Sequence, residues 1–419
     1  MTTFTEMPKY AAYKDSGVDW LGEIPEEWST RKVKYLFRIG RGRVISQQEL
    51  DDNGCYPVYS SQTQNDGILG YISTFDFDCE QITWTTDGAN AGTVFLRKGK
   101  HNCTNVCGTL QPINKQKISL EFLKNALSIA AQFYKRPDTN GAKIMNGEMA
   151  EIFVTFPPLE AQTAIANFLD EKTAKIDEAI AIKEKQIELL KERKQIIIQL
   201  AVTQGLDLTV PMKDSGVDWM GQIPAHWDIE NSKWLFSLRR EKAKKDDVQL
   251  TASQKYGVIP QQLFMELEGR RVTQVEFNSE ILKHVESGDF VISMRSFQGG
   301  IEYCSYIGSV SSAYVALIPT DKIYSPFFKY LLKCNRYIEA LQSTSNLVRD
   351  GQALRYENFC MVPLPVIPIK EQVAISNYID QQIIKIESAV ELLFGQVITL
   401  KEYRTTLINS AVTGKIKVV

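Results

Sequence analysis

The chain lacks the features that mark several large classes of protein. No run of about eighteen apolar residues occurs in its 419 residues, so no membrane-spanning helix is expected. Its first residues have neither a basic start nor an apolar core, so no signal peptide is expected. Seven cysteines form no framework spacing, which is typical of a reducing compartment. We therefore expect a cytoplasmic protein without a membrane partner.

Motifs of catalysis are also missing. No GxGxxG opens a dinucleotide or methyl-donor site, and no GxxxxGK[ST] phosphate loop is present. His101, Cys103 and Cys107 offer three ligands in an H-x-C-x3-C cluster, one short of a closed zinc site. Ordinary loop and core roles suit these three residues better. We therefore predict no catalytic residues, no cofactor and no metal.

Positive charge is scarce overall but locally concentrated. The formal net charge is −2, which argues against a generally basic surface. Residues 31–43 nevertheless hold six basic residues and no acid, and residues 231–245 hold six basic residues against Glu241 alone. A solvated face would explain either cluster taken alone. Their matching places in the two halves favour a shared anionic partner, since phosphate contact requires such patches.

A short motif occurs twice. Residues 14–28 read KDSGVDWLGEIPEEW and residues 213–227 read KDSGVDWMGQIPAHW, with eleven of fifteen positions identical at an offset of 199. A repeat of this length predicts a chain built from two like halves. The Asp-Ser-Gly step favours a tight turn, and the two tryptophans with Ile-Pro form an apolar anchor. The anchor is either a packing contact within each half or a surface for a partner protein.

A second repeat, at an offset of 210, predicts two long helices. Residues 159–203 contain neither Pro nor Gly, and their apolar residues recur at heptad spacing. The apolar positions are Ile165, Leu169, Ile176, Ile180, Ile187, Leu190, Ile197 and Ala201, and their counterparts are Ile375, Ile379, Ile386, Val390, Val397, Leu400, Leu407 and Ala411. A narrow apolar stripe on so long a helix needs a partner helix. We expect the two copies to pair antiparallel as a coiled coil.

The two repeats frame regions that are unlike each other. Residues 29–157 and 228–367 show little mutual resemblance, and they mix β-rich runs at 82–85, 92–96, 290–294 and 313–318 with helices at 120–133 and 326–341. The fold class is therefore α+β (mixed α/β) with a pseudo-two-fold repeat. We predict a first domain over 1–157, a long helix within 158–208, a second domain over 209–367, and a second long helix within 368–419.

With these motifs the chain resembles the specificity subunit of type I restriction-modification systems. The resemblance is carried by both SGVDW motifs, by the helix starts PPLEAQTAIANFLDEKTAKID and IPIKEQVAISNYIDQQIIKIE, and by the repeated AVT at the helix ends. It implies two target-recognition domains that each read one half of a split, asymmetric DNA sequence, with the helices setting the gap. It also implies docking of two methyltransferase subunits, which motor-nuclease subunits join to form a deoxyribonuclease and adenine methyltransferase. The specificity subunit itself is implied to be non-catalytic.

Residues for DNA contact are predicted from side-chain type and loop context. Bases are read by Arg, Lys, Asn, Gln, Ser and Thr on loops or helices, and phosphates are held mainly by Lys and Arg. The candidates are Arg41, Arg43, Gln62, Gln64, Asn65, Thr86, Asn90 and Lys143 in the first half, and Arg295, Ser296, Gln298, Arg349 and Arg355 in the second.

Two other functions stay open at this point. A self-sufficient methyltransferase or nuclease with built-in recognition requires a catalytic centre, which the sequence does not reveal. A coiled-coil scaffold that joins proteins without binding DNA requires only the helices.

Overall fold

A computed structural model describes residues 7–139, 141–269, 271, 281–294, 296–344 and 354–418. The chain forms two compact units, Met1–Glu184 with Gly395–Val419 and Lys185–Phe394. In the described part of the chain, no helix combines the length and apolar character needed to cross a bilayer.

The first unit has a sheet-rich body. Its strands are β1 (Tyr13–Asp15), β2 (Glu23–Pro25), β3 (Ser29–Lys32), β4 (Phe37–Arg41), β5 (Tyr56–Tyr59), β6 (Ile68–Ile72), β7 (Phe77–Asp78), β8 (Gln81–Thr85), β9 (Asp87–Gly88), β10 (Val94–Arg97), β11 (Lys100–Cys103), β12 (Cys107–Pro112), β13 (Arg136–Asp138), β14 (Gly141–Lys143) and β15 (Phe153–Phe156). Its helices are α1 (Leu120–Tyr134), α2 (Asn146–Glu151) and the start of the long helix α3 (Leu159–Gln204).

Two four-stranded sheets dominate this unit. The central sheet has the order β10-β8-β12-β4, and the second sheet has the order β6-β5-β11-β7. Strand β12 runs antiparallel to both β4 and β8, so β4 and β8 are parallel to each other. Helix α1 packs on the central sheet through a face of buried residues four apart, such as Phe122, Ala126 and Ala130. The Ser119 hydroxyl caps this helix by accepting from the Phe122 amide at 3.2 Å.

The second unit has its own sheet of corresponding topology. Its strands are β16 (Met212–Asp214), β17 (Gln222–Pro224), β18 (Asp228–Glu230), β19 (Phe236–Leu238), β20 (Leu250–Ser253), β21 (Gly257–Pro260), β22 (Lys283–Val285), β23 (Phe290–Ile292), β24 (Glu302–Tyr303), β25 (Gly308–Val310), β26 (Val315–Pro319) and β27 (Leu364–Val366). Its helices are α4 (Ser232–Leu235), α5 (Gln261–Glu268), α6 (Ser296–Gly299), α7 (Ser325–Leu331), α8 (Asn335–Ser343), α9 (Tyr356–Cys360) and the start of α10 (Ile369–Val412). The central order is β19-β26-β23-β24.

The helix predicted over 326–341 is in fact two helices, α7 and α8. The chain leaves the first at Leu332, whose carbonyl accepts the Ile301 amide at 3.2 Å. That carbonyl is therefore used by a strand-side segment rather than by a continuing helix. The break is tertiary in origin, which explains why the apolar spacing alone did not reveal it.

The predicted antiparallel coiled coil of α3 and α10 is confirmed. Within the first unit, Asp177 pairs with Arg404 at 2.9 Å and Lys183 donates to Gln396 at 2.6 Å. Within the second unit, Lys194 pairs with Glu387 at 2.7 Å. In the first unit the residue number on α3 rises from 177 to 183 as that of its partner on α10 falls from 404 to 396, so the two helices run antiparallel. Seam residues at both ends are buried, including Ile165, Leu169, Ile375, Ile379, Leu407 and Ala411.

Near the start of each long helix, a buried glutamine side chain makes the same pair of hydrogen bonds to the backbone. The side-chain nitrogen of Gln162 donates to the Pro157 carbonyl at 2.9 Å, and its side-chain oxygen accepts from the backbone amide of Ser119 at 2.9 Å. Gln372, at the offset of 210, donates to the Ile367 carbonyl at 2.7 Å and accepts from the Tyr324 amide at 2.7 Å. Both glutamines are fully buried. Each one thus fixes the helix start to the domain that precedes it.

The duplicated KDSGVDW motif packs within its own unit, against the end of a long helix. Gly205 follows α3, and a methyl group on it would lie 3.4 Å from the Trp227 ring. Gly414 follows α10, and a methyl group there would lie 3.1 Å from the Trp28 ring. The segment after Gly414 also runs beside the start of the chain, since the Lys417 amide donates to the Pro8 carbonyl at 2.6 Å. The motif is therefore a packing contact in both units.

Candidate nucleic-acid interface

The predicted residues of the first unit gather where strands of the central sheet end. Parallel strands β4 and β8 have their carboxyl ends at the same edge, which carries Arg41 and Thr86. Arg41 donates to the Thr86 hydroxyl at 3.4 Å, and that hydroxyl donates to the Val106 carbonyl at 3.1 Å. Thr86 is buried whereas Arg41 is exposed. Thr86 therefore positions Arg41 from below, and the guanidinium is left facing solvent.

The turn between β11 and β12 lies at the centre of this edge. The Thr104 amide donates to the Tyr59 carbonyl at 2.8 Å, which connects the turn to the end of β5. The Arg43 amide donates to the Cys103 carbonyl at 3.1 Å, and the Thr86 amide donates to the Val106 carbonyl at 3.1 Å. Backbone hydrogen bonds thus bring the segments after β4, β5 and β8 to one place.

Gly42 is required by this arrangement. A methyl group at this position would lie 2.1 Å from the Cys103 carbonyl oxygen, which is far inside van der Waals contact. The absence of a side chain therefore allows β4 to continue past Arg41 and pair beside Thr104. The glycine between Arg41 and Arg43 thus allows a close approach to the protein's own backbone.

Arg43 carries its charge into a local ion network. Its guanidinium lies 2.7 Å from Glu49 and 3.1 Å from Asp76. The hydrogen bond that Arg43 donates to the Glu49 carboxylate is the main cause of the raised pKa of Arg43, and the Asp76 carboxylate raises this pKa further. Its positive charge is compensated by these two acids. The Arg41 guanidinium, by contrast, has only the neutral Thr86 hydroxyl as a partner among the described residues.

The polar loop after β5 is held by Arg97, a residue that side-chain type and loop context did not select. Gln64 and Asn65 are exposed, and Asn65 and Asp66 both adopt left-handed backbone angles, with φ of 49° and 52°. Buried Arg97 bonds the Asp66 carboxylate at 2.8 Å. The Arg97 guanidinium also lies 3.6 Å from the centre of the Tyr59 ring. This contact holds the loop in its strained shape.

Gln62 lies in the same loop with its amide engaged. Its side-chain nitrogen donates to the Ile68 carbonyl, so its oxygen is the part left for a ligand. Arg97 lies buried beneath this loop with Asp66 as its ionic partner and the Tyr59 ring on its face, while its Nη2 has no hydrogen-bond partner among the described residues.

Asn90 and Lys143 lie next to Thr86. Lys143 is on β14, which pairs with β9 directly after Thr86, and the Ile144 amide donates to the Thr86 carbonyl at 2.8 Å. The Lys143 ammonium lies 3.0 Å from Asp138 and lowers the pKa of that carboxyl group. Asn90 is exposed in the turn that follows β9. Arg41, Asn90 and Lys143 therefore lie around the buried Thr86.

The second unit has the corresponding edge. Strand β26 is antiparallel to both β19 and β23, so the carboxyl ends of β19 and β23 coincide. Ser296 and Gln298 lie on α6, just after β23. Ser296 is buried, and its hydroxyl accepts the Ser293 amide at 2.8 Å, whereas Gln298 is exposed. Of this pair, Gln298 presents its side chain to solvent.

Of the remaining candidates in the second unit, Arg355 alone lies within the described residues. Arg295 and Arg349 lie outside the described residues. Arg355 is exposed and precedes α9, and its amide donates to the Asn358 side chain at 3.1 Å. The neighbouring Tyr356 hydroxyl donates to the Phe236 carbonyl at 3.3 Å, at the amino end of β19. Arg355 is therefore associated with the opposite end of the sheet from Gln298.

Comparison with known proteins decides the family. Residues 25–192 match the model for the type I restriction modification DNA specificity domain. The chain is 36% identical over 195 residues to the putative type I specificity subunit S.MpnORF285P of Mycoplasma pneumoniae, covering 43% of this chain and 63% of that protein, which is less than two thirds of its length. It is 44% identical over 142 residues to the S.MpnORF289P N-terminus from the same organism, covering 34% of this chain and 75% of that protein.

The chain belongs to the type I specificity subunit family. A solved structure from work on complex assembly and conformational transition of the type I R-M system matches 93% of this specificity subunit and 98% of its own chain. The TM-score is 0.66 at 14% sequence identity, so this likeness concerns the fold alone. It supports the mixed helix-and-strand architecture with two long helices.

The repeat reveals a residue of this specificity subunit that side-chain type and loop context did not select. Adding 199 to Arg41 gives Arg240, as Phe37 gives Phe236 at the start of the matching strand. Arg240 is exposed and has no ion-pair or hydrogen-bond partner among the described residues. Its neighbour Arg239 is buried and forms a bidentate pair with Asp289 at 2.6 and 3.0 Å. The offset was the signal that would have identified Arg240.

Proposed function

We propose that this chain recognises a bipartite DNA sequence, with one half-site read by each unit, and that it performs no chemistry itself. The observation that carries the proposal is the sheet edge found in both units. At matched positions of that edge, Arg41 and Arg240 present guanidinium groups to solvent. Exposed amide side chains, Asn90 in one unit and Gln298 in the other, lie on the same edges. Cations with amides are the combination that phosphate contact and base reading require.

The two long helices act in this proposal as the element that sets the unread gap. They contain 46 and 44 residues. At about 1.5 Å per residue, each is roughly 65–70 Å long. Their continuous antiparallel seam makes them stiff, because heptad packing opposes bending along the whole contact. A stiff connection restricts the spacing that two half-sites can have.

The proposed partners follow from the family and the duplication. Two methyltransferase subunits dock on the scaffold, and motor-nuclease subunits join the assembled complex. The duplication of the whole frame supports two equal partner copies, since a two-fold repeat offers the same surface twice. Double-stranded DNA is the shared substrate. The complex works in the cytoplasm, where the free thiols of the seven cysteines remain reduced.

The gap can be changed without touching either half-site. Insertion of one heptad after Ile187 in α3 and one after Leu393 in α10 preserves the antiparallel register. The added length is about 10 Å, or roughly three base pairs of B-DNA at about 3.4 Å each. We expect the tolerated gap to lengthen by about three base pairs while both half-site sequences stay the same. Selection of bound sequences from random DNA by the full chain, with its methyltransferase partner present, measures both quantities.

Matched controls separate the parts of this proposal. The same heptad inserted in α3 alone breaks the register and is expected to reduce binding without defining a new gap. Exchange of residues 29–157 for the same region of a relative should change one half-site only. Altered half-sites with an unchanged gap would contradict the role of the helices. Cleavage or methylation of DNA by the lone chain would establish an enzyme. Absence of DNA binding at low as well as high salt would establish a protein scaffold.

A further inference from the structure

The turn between β11 and β12 presents one polar side chain at the centre of the edge in the first unit. It is a four-residue turn over 104–107, closed by the Cys107 amide on the Thr104 carbonyl at 3.0 Å. Asn105 is the second residue of this turn and is exposed. Within the described residues its amide side chain has no hydrogen-bond partner. All its donor and acceptor capacity therefore remains available to a ligand.

The backbone that carries Asn105 is held on both sides. Before it, Thr104 is buried and its amide bonds the Tyr59 carbonyl at 2.8 Å. After it, the Val106 carbonyl accepts both the amide and the hydroxyl of Thr86 at 3.1 Å. A side chain on a fixed backbone loses little entropy when it binds. Hydrogen bonds from such a position are consequently more selective than those from a mobile loop.

The second unit repeats the turn but not the residue. There the turn covers 311–314, closed by the Tyr314 amide on the Ser311 carbonyl at 3.0 Å. Ser312 occupies the position of Asn105 and is exposed, with no hydrogen-bond partner among the described residues. Each turn begins eight residues before the proline that ends the following strand, Pro112 or Pro319.

The contrast between the two turns points to specificity. Side chains that serve the scaffold are repeated between the halves, as Gln162 and Gln372 are. The second position of the turn is exposed in both units, yet its side chain is Asn105 in the first unit and Ser312 in the second. A position that reads different bases in two unlike half-sites should behave in this way.

We propose that Asn105 and Ser312 are specificity-determining residues that contact base edges, one in each half-site. The inference rests on the proposed function, because it presupposes that each sheet edge faces DNA. An asparagine amide offers one donor and one acceptor, which match N7 and the N6 amino group of adenine in the major groove. Asn105 therefore reads an adenine in the first half-site. The Ser312 hydroxyl makes a single contact and discriminates less sharply.

Substitution of Asn105 tests this directly in the full chain. N105A should lower discrimination at one adenine of one half-site by about 5- to 150-fold, which is the range for a bidentate base contact. N105D should shift the preference at that position towards cytosine, whose N4 amino group a carboxylate accepts. S312A should affect one position of the other half-site only. Binding selection from random DNA gives these preferences, and mapping of methylated bases in a strain carrying each variant gives them independently.

A matched control and clear contrary outcomes accompany the experiment. Asn53 is also exposed in a turn, but it precedes β5 and so lies at the amino end of that strand. N53A should therefore leave the selected sequence unchanged. Unaltered preferences in N105A and N105D, or an equal loss of affinity at every position, would refute the role of Asn105. Failure of the unsubstituted chain to select any bipartite sequence would instead refute the proposed function.

Discussion

Replacement of Trp227 by alanine is expected to lower the free energy of unfolding of the second unit by about 3–5 kcal/mol. The Trp227 ring is fully buried and belongs to the core of that unit. It also contacts the helix end at Gly205, where a methyl group would lie 3.4 Å away. Truncation leaves a large cavity between the motif and the helix. Chemical denaturation of the full chain, followed by hydrogen exchange in the second unit, measures the loss.

Phenylalanine at the same position is the matched control. The indole N–H of Trp227 has no acceptor among the described residues, so W227F also removes a buried unpaired donor. The ring that fills the cavity is largely retained. We expect W227F to cost clearly less than W227A. Equal losses in the two variants would mean that ring volume is not what Trp227 contributes to the core.

Replacement of Glu302 by glutamine is expected to stabilise the second unit at pH 8 by up to about 3 kcal/mol. The Glu302 side chain is almost fully buried, and its carboxylate lies 2.7 Å from the Lys333 ammonium. Burial raises the pKa of Glu302 from 4.5 to about 7, although Lys333 opposes the shift. Between about pH 4.5 and pH 7, the folded state therefore keeps a proton on Glu302 that the unfolded chain has lost.

The direction of the Glu302 pKa shift determines the two pH values at which stability should be compared. Because the pKa is higher in the folded state, the favourable contribution of protonated Glu302 is complete below about pH 4.5 and is lost as the pH rises to about 7. Above that pH the buried carboxylate destabilises the fold. E302Q should thus match the unsubstituted chain near pH 4.5 and exceed it at pH 8 in urea unfolding. A loss of stability at both pH values would show that the ion pair with Lys333 outweighs burial.

The long helices and the duplicated motif were predictable because their determinants are local. The heptad pattern over 159–203 agrees with α3 at Leu159–Gln204, and the offset of 210 places α10 at Ile369–Val412. The Asp-Ser-Gly step forms the same turn twice, with Gly17 and Gly216 each donating to the preceding aspartate at 2.9 Å. In both cases the side chains that decide the structure are close together in sequence.

The surroundings of the candidate site residues depend on distant parts of the chain. Arg43 has its charge compensated by Asp76, thirty-three residues away, which no spacing rule indicates. Thr86 is covered because the turn at 104–106 folds over it. Arg97 is buried because the rings of Tyr59 and Phe95, which are distant or alternate in sequence, lie against its guanidinium. Residue type and loop context selected residues that gather at one sheet edge of the first unit, while the exposure of each side chain required the tertiary structure.

The packing of residues 414–418 bears on the order in which the two units can be joined along the chain. Residues 414–418 pack against the start of the first unit as Gly205 packs against Trp227 in the second. The order of the two units along the polypeptide is therefore not essential to the fold of either unit. A circularly permuted chain, joined from residue 418 to residue 7 and opened within 206–210, should form the same cores. We accordingly expect each unit to keep its fold when the two halves are exchanged or reordered at these two junctions.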